Sequence, residues 1–167
     1  RDAAPTVDPI GVTCFSGAPI NISMSGTVFA GSGILYGIDG NYSADPVKTI
    51  TASGTYKLTV KDDNGCISNP FDLVITDQLK LTVTPIKDVT CMVIAPFTKL
   101  DAKATLSAVG GDSTYTYEVK EGTAGTYALI VPTGNVFETT IPGEYYFKVS
   151  SAGCSVESTV PFIVTTP

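Results

Sequence analysis

The sequence predicts an all-β protein, and three observations lead to that class. The chain of 167 residues contains 16 Gly and 11 Pro, which favour turns over long regular helices. No long window carries apolar residues at helical spacing, and the nearest approach, "KLDAKATLSA" (residues 99–108), ends in strand-like alternation. Short stretches that alternate apolar and polar residues recur along the whole chain instead. We therefore expect antiparallel sheets.

Two kinds of sequence block each occur twice, in the same order. "VTCFSGAP" (residues 12–19) and "VTCMVIAP" (residues 89–96) share Val-Thr-Cys and Ala-Pro at the same offset. Each is followed by a Gly-x-Tyr block that ends in Gly-Cys, "GTYKLTVKDDNGC" (residues 54–66) or "GEYYFKVSSAGC" (residues 143–154). An ordered pattern that recurs indicates repeated structural units. We predict two tandem modules, residues 1–77 and 78–167, and the alternative is one long domain.

The strand pattern within the modules indicates the type of sheet. Tyr56, Leu58 and Val60 share one strand face, and "DNG" (residues 63–65) predicts a hairpin turn. Pro70 predicts a bulge or kink before the next strand, because proline cannot donate to the ladder. In module two, residues 156–164 alternate without a break.

About seven short strands for each module are typical of an immunoglobulin-like β-sandwich, although the Trp of antibody domains is absent. The junction at Asp77-Gln78 is short and contains no Gly or Ser. We therefore expect the two sandwiches to be joined end to end as a stiff rod.

The four cysteines predict disulfides. They are widely spaced, form no CxxC pair, and occur in a chain without His, so zinc binding is disfavoured. Disulfides predict an extracellular or cell-surface location. Of the three possible pairings, only Cys14–Cys66 with Cys91–Cys154 keeps the modules alike, and we predict this intramodule pairing.

Several motifs together resemble a known family. "VTC", "GGDSTYTYEV" (residues 110–119) and "GTYKLTVKDDNGC" are similar to the SprB-type repeats of Bacteroidetes gliding-motility and cell-surface adhesins. Module one lacks the Gly-Gly-Tyr segment, and module two has "SSAG" in place of the Asp-x-Asn-Gly turn. The resemblance implies immunoglobulin-like adhesion repeats, whose partners would include neighbouring repeats of the same parent chain.

Charge and composition exclude several classes of function. The net charge of −6 disfavours nucleic acid and anionic membrane surfaces, and no apolar run has membrane-spanning length. Without His, a Ser-His-Asp or Cys-His centre is excluded. A carboxylate pair of the glycosidase type is the remaining catalytic alternative, but no acidic residue lies in a motif that suggests a cleft. We expect no enzyme. The chain begins without Met or a signal peptide, and we expect it to be a piece of a longer protein.

Acidic and amide side chains in the turns of module one are candidate calcium ligands. Calcium binds six to eight oxygens, which clustered Asp and Asn residues can supply. The alternative is that these residues occur in turns because their side chains bond to nearby backbone. No other cofactor is expected. The candidates are Asp39, Asn41, Asp45, Asp62 and Asp63.

The tyrosines divide into a candidate ligand platform and two structural positions. Tyr115 and Tyr117 share a strand face and would stack on a sugar, or would belong to the core that continues through Val119. Tyr56 and Tyr145 lie where related sandwiches keep a tyrosine whose hydroxyl bonds back to the preceding turn. We predict a structural role for this second pair.

The function that the sequence predicts is a non-catalytic stalk or adhesion module of a large secreted or cell-surface bacterial adhesin. One alternative is a recognition module that binds surface polysaccharide or protein. A further alternative is a pilin-like filament subunit that accepts a donor strand from its neighbour.

Overall fold

The computed structural model describes residues 5–11, 13–28, 33–87, 102–130 and 134–165, and those ranges contain strands and no helix. None of their elements is therefore a helix long and apolar enough to cross a membrane. The chain divides into two compact units, Arg1–Gln78 and Leu79–Pro167. The strands are β1 (Thr6–Val7), β2 (Thr13–Cys14), β3 (Ile20–Ser23), β4 (Gly26–Thr27), β5 (Ile34–Ile38), β6 (Asn41–Ser43), β7 (Val47–Ile50), β8 (Gly54–Asp62), β9 (Phe71–Lys87), β10 (Ala102–Gly111), β11 (Thr116–Glu121), β12 (Ala128–Leu129), β13 (Val136–Thr139), β14 (Gly143–Ser151), β15 (Cys154–Glu157) and β16 (Phe162–Val164).

In the first unit, β8 is the central strand of the larger sheet. It pairs antiparallel with β5 on one side and β9 on the other, while β6 extends the sheet beyond β5. β2 pairs in parallel with β9. β3 and β7 form a second sheet, and β1 pairs with β4. The larger sheet and the β3–β7 sheet both contribute side chains to one core, so the unit is a sandwich. Its buried residues are Ile22, Met24, Ile50, Leu58, Leu73 and Ile75.

In the second unit, β14 has the corresponding central place. It pairs with β11 on one side and with β15 and β16 on the other, and β12 pairs with β11. β10 lies between β9 and β13. The core between these sheets is aromatic, with the ring of Phe137 centred 4.8 Å from Tyr145 and 5.3 Å from Phe147. The all-β class and the sandwich architecture are confirmed. The buried residues are Ala102, Ala104, Leu106, Ile130, Phe137, Tyr145, Phe147, Phe162 and Val164.

The strand face predicted for β8 is confirmed. Leu58 and Val60 are fully buried and Tyr56 is half-buried, whereas Lys57 between them is exposed. The hairpin predicted at residues 63–65 is also present. Its N–H at Gly65 donates to the carbonyl of Asp62 at 3.0 Å, and its φ of 88° favours glycine.

The predicted interruption near Pro70 is a β-bulge. Ile67 faces Lys61, and Phe71 faces Leu58. Two residues of β8, 59 and 60, therefore lie opposite three residues, 68–70, of the chain that pairs with it. An extra residue on one strand defines a bulge, and proline at this point leaves no ladder donor missing.

The alternation of residues 156–164 indicates one returning strand, and that prediction is wrong, because β15 ends at Glu157 and β16 begins at Phe162. Glu157 faces Lys148 and Phe162 faces Tyr145, so two residues of β14 oppose four residues, 158–161, on the returning chain. The ladder is interrupted there because Pro161 cannot donate. Alternation in the sequence does not reveal how many residues face each other across a ladder.

A serine closes the interruption in each unit with the same pair of hydrogen bonds. Ser68 donates its N–H to the carbonyl of Val60 at 2.9 Å, and its Oγ accepts the Val60 N–H at 3.0 Å. Ser158 donates to the carbonyl of Phe147 at 2.8 Å, and its Oγ accepts the Phe147 N–H at 2.9 Å. The side chain thus satisfies a backbone donor that the broken ladder leaves unpaired.

The structural role predicted for the two tyrosines is confirmed. The Tyr56 hydroxyl donates to the carbonyl of Ala52 at 2.8 Å, and the Tyr145 hydroxyl donates to the carbonyl of Ile141 at 2.9 Å. In both cases the acceptor lies four residues earlier, in the turn that leads into the central strand. Each bond fastens that turn to the strand.

Removing either hydroxyl should destabilise the protein. We expect Tyr56→Phe and Tyr145→Phe each to lower the free energy of unfolding by about 1 kcal/mol, because each leaves a turn carbonyl without its donor. Urea unfolding followed by circular dichroism measures the change. Tyr146→Phe is the control, because its hydroxyl is 3.5 Å from Glu144 and exposed. A loss no larger than that of the control would contradict the prediction.

Candidate functional site

The cysteines do not pair as predicted. Cys14 and Cys154 each take part in a disulfide, whereas Cys66 is free and exposed. The Cys14–Cys66 bridge is therefore wrong, and with it the prediction of a disulfide within the first module. The predicted partner of Cys154, Cys91, lies outside the described residues.

The geometry of the first unit explains why Cys14 and Cys66 do not meet. Cys14 pairs with Thr76, beside the Gly54 end of β8. Cys66 follows Asp62, at the opposite end of this 9-residue strand. At about 3.3 Å per residue, the ends of the strand are ~26 Å apart. A disulfide requires Cα atoms within ~7 Å.

Thiol labelling should distinguish the cysteines. We expect iodoacetamide to modify Cys66 in the folded, non-reduced protein, because its thiol is free and exposed. Cys14 and Cys154 should become modified only after reduction. Peptide mapping by mass spectrometry measures this, and Cys66→Ser is the control that abolishes native labelling of the peptide containing residue 66. A native protein that resists labelling at Cys66 would contradict the prediction.

Three of the five candidate calcium ligands lie in or next to β6. Asp39 lies in the β5–β6 turn, where its Oδ1 accepts the N–H of Lys57 at 2.8 Å, and Asn41 is the first residue of β6. Asp45 follows β6, and its Oδ1 accepts the N–H of Val47 at 2.8 Å. These two carboxylates therefore cap nearby backbone donors, as the turn interpretation predicts.

The other two candidates lie at the far end of β8. Asp62 is buried, and its Oδ1 accepts the N–H of Cys66 at 2.8 Å. Asp63 Oδ2 accepts the N–H of Gly33 at 2.6 Å. β5 pairs Ile34 with Asp62, so its length separates these two candidates from those at the β5–β6 turn.

The described part of the chain contains no group of three or more acidic, Cys or His residues that could hold a metal ion. The five candidates are thus not brought together into one cluster. Calcium binding through them stays a prediction from the sequence.

Tyr115 and Tyr117 are brought together, with ring centroids 6.3 Å apart. Both are half-buried; Tyr115 donates its hydroxyl to the carbonyl of Gly110 at 2.9 Å, and Tyr117 packs against the core of the second unit. Burial, and then the neighbouring Tyr115, raise the pKa of Tyr117. These contacts agree with the core interpretation, and a role in ligand binding stays a prediction.

A cluster of lysines around one tyrosine, here the Tyr127 cluster, was not predicted from the sequence. The Nζ atoms of Lys120 and Lys148 lie 4.5 and 4.6 Å from the centre of the Tyr127 ring. Lys148 pairs with Glu118 at 2.6 Å, and Lys120 approaches Glu157 at 3.9 Å. The only signal in the sequence is the alternation of charged residues on β11 and β14. That pattern does not show that Tyr127 lies next to Lys120 and Lys148.

The Tyr127 hydroxyl is buried and has no hydrogen-bond partner among the described residues. Burial, followed by the carboxylates of Glu157 and Glu118, raises its pKa to about 12. The folded protein therefore favours neutral Tyr127 more than the unfolded chain does, for which a tyrosine pKa is about 10. This contribution to stability is fully present below pH ~10 and is lost as the pH rises to ~12.

Alkaline titration should reveal this group. We expect the absorbance of ionised tyrosine to show a component near pH 12 that Tyr127→Phe removes. Tyr146→Phe is the matched control, because the Tyr146 ring also contacts Lys120, at 5.7 Å. Retention of the late component in Tyr127→Phe would contradict the prediction.

A small polar pocket lies where the β10–β11 turn meets the β14–β15 turn. It measures about 230 Å³ and is lined by Asp112, Thr114, Thr116, Ser150, Ser151 and residues 152–153. The sequence shows these turns as separate glycine-rich segments, and nothing in it indicates that they meet.

Two hydrogen bonds join the turns of this polar pocket. Ser151 Oγ donates to Asp112 Oδ1 at 2.7 Å and accepts the Asp112 N–H at 3.0 Å. Thr114 donates its N–H to the same Oδ1 at 2.9 Å. The Ser151 bond first, and then the Thr114 N–H, lower the pKa of Asp112. A Cβ at Gly111 would collide with Ser151 Oγ, so only glycine permits this approach.

Comparisons with known proteins place the chain in no family. No family model matches the sequence, and no curated protein matches it significantly. Fibronectin(III)-like modules of CbhA from Clostridium thermocellum are similar over 96% of this chain and 93% of that chain, at 19% identity and a TM-score of 0.47.

Two further solved structures are more distant. The three N-terminal domains of the outer capsid protein Hoc of bacteriophage RB49 align with 96% of this chain and 59% of that chain, at 13% identity and a TM-score of 0.37. Bacteroides ovatus SGBP-B, solved with a mixed-linkage heptasaccharide, aligns with 99% of this chain and 71% of that chain, at 11% identity and a TM-score of 0.31. At these levels of similarity, neither assigns a family or a function.

Proposed function

We propose that this chain is a non-catalytic stalk or adhesion module of a large secreted or cell-surface protein, formed by two tandem immunoglobulin-like sandwiches. The observation that carries the proposal is the shared construction of the two compact units. Each has a central strand whose tyrosine hydroxyl bonds to the carbonyl four residues earlier. Each also has a serine that bonds, through its N–H and its Oγ, to one residue of that strand where the ladder is interrupted.

The shared contacts support duplication because they involve specific atoms. Any sandwich has alternating strands, but the same Oγ and N–H bonds at Ser68 and Ser158 favour a common plan. The tyrosine bonds at Tyr56 and Tyr145 recur at the start of each central strand. The serine bonds to the residue four positions after the tyrosine in the first unit and two positions after it in the second. Repeated units of this kind are suited to setting length and stiffness, since adding copies extends a stalk without new chemistry.

The side-chain chemistry also favours a mechanical role. The chain has no His, and the carboxylates of Asp39, Asp45 and Asp62 cap backbone N–H groups. The bonded Cys14 and Cys154 favour an oxidising compartment and hence an extracellular or cell-surface location. The partners would be neighbouring repeats of the same parent chain, as in gliding-motility adhesins.

Single-molecule force spectroscopy of the full chain in a polyprotein tests the proposal. With the disulfides reduced, we expect each chain to unfold in two events, because each unit has its own core. Each event should lengthen the chain by about the contour length of one unfolded unit. Tyr56→Phe should lower the unfolding force of one event and Tyr145→Phe that of the other.

The two variants control for each other, because each removes the same bond from a different unit. A single event that releases the whole chain would contradict the two-module proposal. Turnover of a substrate by the purified chain would contradict the non-catalytic role.

A further inference from the structure

We propose that the polar pocket of the second unit binds a neutral sugar residue through adjacent hydroxyl groups. This goes beyond the proposed stalk function and does not depend on it, because a stalk unit can form with this pocket empty. The pocket belongs to one unit, since all of its lining residues lie between residues 112 and 153.

The lining suits a ligand that both donates and accepts hydrogen bonds. The Asp112 carboxylate only accepts, whereas the hydroxyls of Thr114, Thr116 and Ser150 donate and accept. Vicinal hydroxyls of a sugar have the same dual character. No lysine or arginine lines the pocket, so a phosphate or carboxylate ligand would meet the Asp112 charge without a compensating cation.

A metal ion fits the pocket less well than a sugar does. Asp112 is its single carboxylate, and Oδ1 already accepts bonds from Ser151 Oγ and the Thr114 N–H. Calcium requires six to eight oxygens, usually including several carboxylates. Free hydroxyls beside one carboxylate are better partners for a hydroxylated ligand.

The pocket is held in shape before any ligand binds. Ser151 joins the two turns through Asp112, and the same hydrogen bond lowers the pKa of the Asp112 carboxyl. Ser113 and Ala152 lie in these turns with φ of 69° and 51°, a conformation that residues other than glycine rarely adopt.

The volume sets the size of the ligand. About 230 Å³ is below the range of ~300–1,000 Å³ typical of drug-sized ligands. The pocket therefore suits one sugar ring, such as the end or a side branch of a polysaccharide. No aromatic side chain lines it, so the affinity rests on hydrogen bonds, and we expect millimolar binding.

Two-dimensional ¹H–¹⁵N NMR of the full chain tests the proposal. The probes are D-glucose, D-galactose, D-mannose and N-acetyl-D-glucosamine, each titrated to several tens of millimolar. At least one should cause saturable shifts in the amides of residues 112–116 and 150–153. Thr116→Val and Ser150→Ala should each weaken that binding about fivefold, because each removes one hydrogen bond. Neither side chain belongs to the Asp112–Ser151 link.

Thr55→Val is the matched control, because Thr55 lies exposed on β8 of the other unit, and it should leave the affinity unchanged. Calcium chloride and ethylammonium chloride are titrated in parallel. Shifts of these amides with either cation but with no sugar would overturn the proposal in favour of a cation site. Absence of saturable shifts with every sugar, or equal binding by both pocket variants and the wild type, would also overturn it.

Discussion

The central antiparallel strand of each unit carries the constraint on which the other features depend. β8 and β14 each bond to neighbours on both sides, and each buries one face in the core of its own unit. Leu58, Val60, Phe147 and Val149 are completely buried. A one-residue slip in either strand would expose these side chains and bury their polar neighbours. Register is therefore determined by burial, and the turns and bulges conform to it.

The same constraint explains why serine and proline occur beside both central strands. In each unit, the segment that follows the hairpin and pairs with the central strand contains one or more extra residues. A backbone N–H of the central strand therefore loses its partner in the ladder. Ser68 and Ser158 supply that partner through Oγ, and Pro70 and Pro161 have no N–H to leave unpaired. Each serine thus satisfies one backbone N–H of the central strand at the interruption.

Surface chemistry differs between the units in a way that bears on function. In the first unit, acidic side chains cap the backbone of separate turns. In the second unit, Asp112 and Ser151 join two turns around the polar pocket, and the Tyr127 cluster covers the outer face of β11 and β14. A stalk would need only features that both units have: a buried core in each, and the tyrosine bond that fastens the turn before each central strand. Recognition, where it occurs, would use features that only one of the two units has.

The sequence by itself determined the features that depend on neighbours along the chain. Period-two alternation identified the buried face of β8, Asn-Gly chemistry identified its hairpin, and position relative to the strand identified the roles of Tyr56 and Tyr145. Only the tertiary structure decided which distant segments meet. It showed Cys14 and Cys66 at opposite ends of β8, broke the run at residues 158–161, and joined the turns of Asp112 and Ser151. The physical reason is that strand register and sheet order determine the distances between remote residues, and local sequence patterns contain neither.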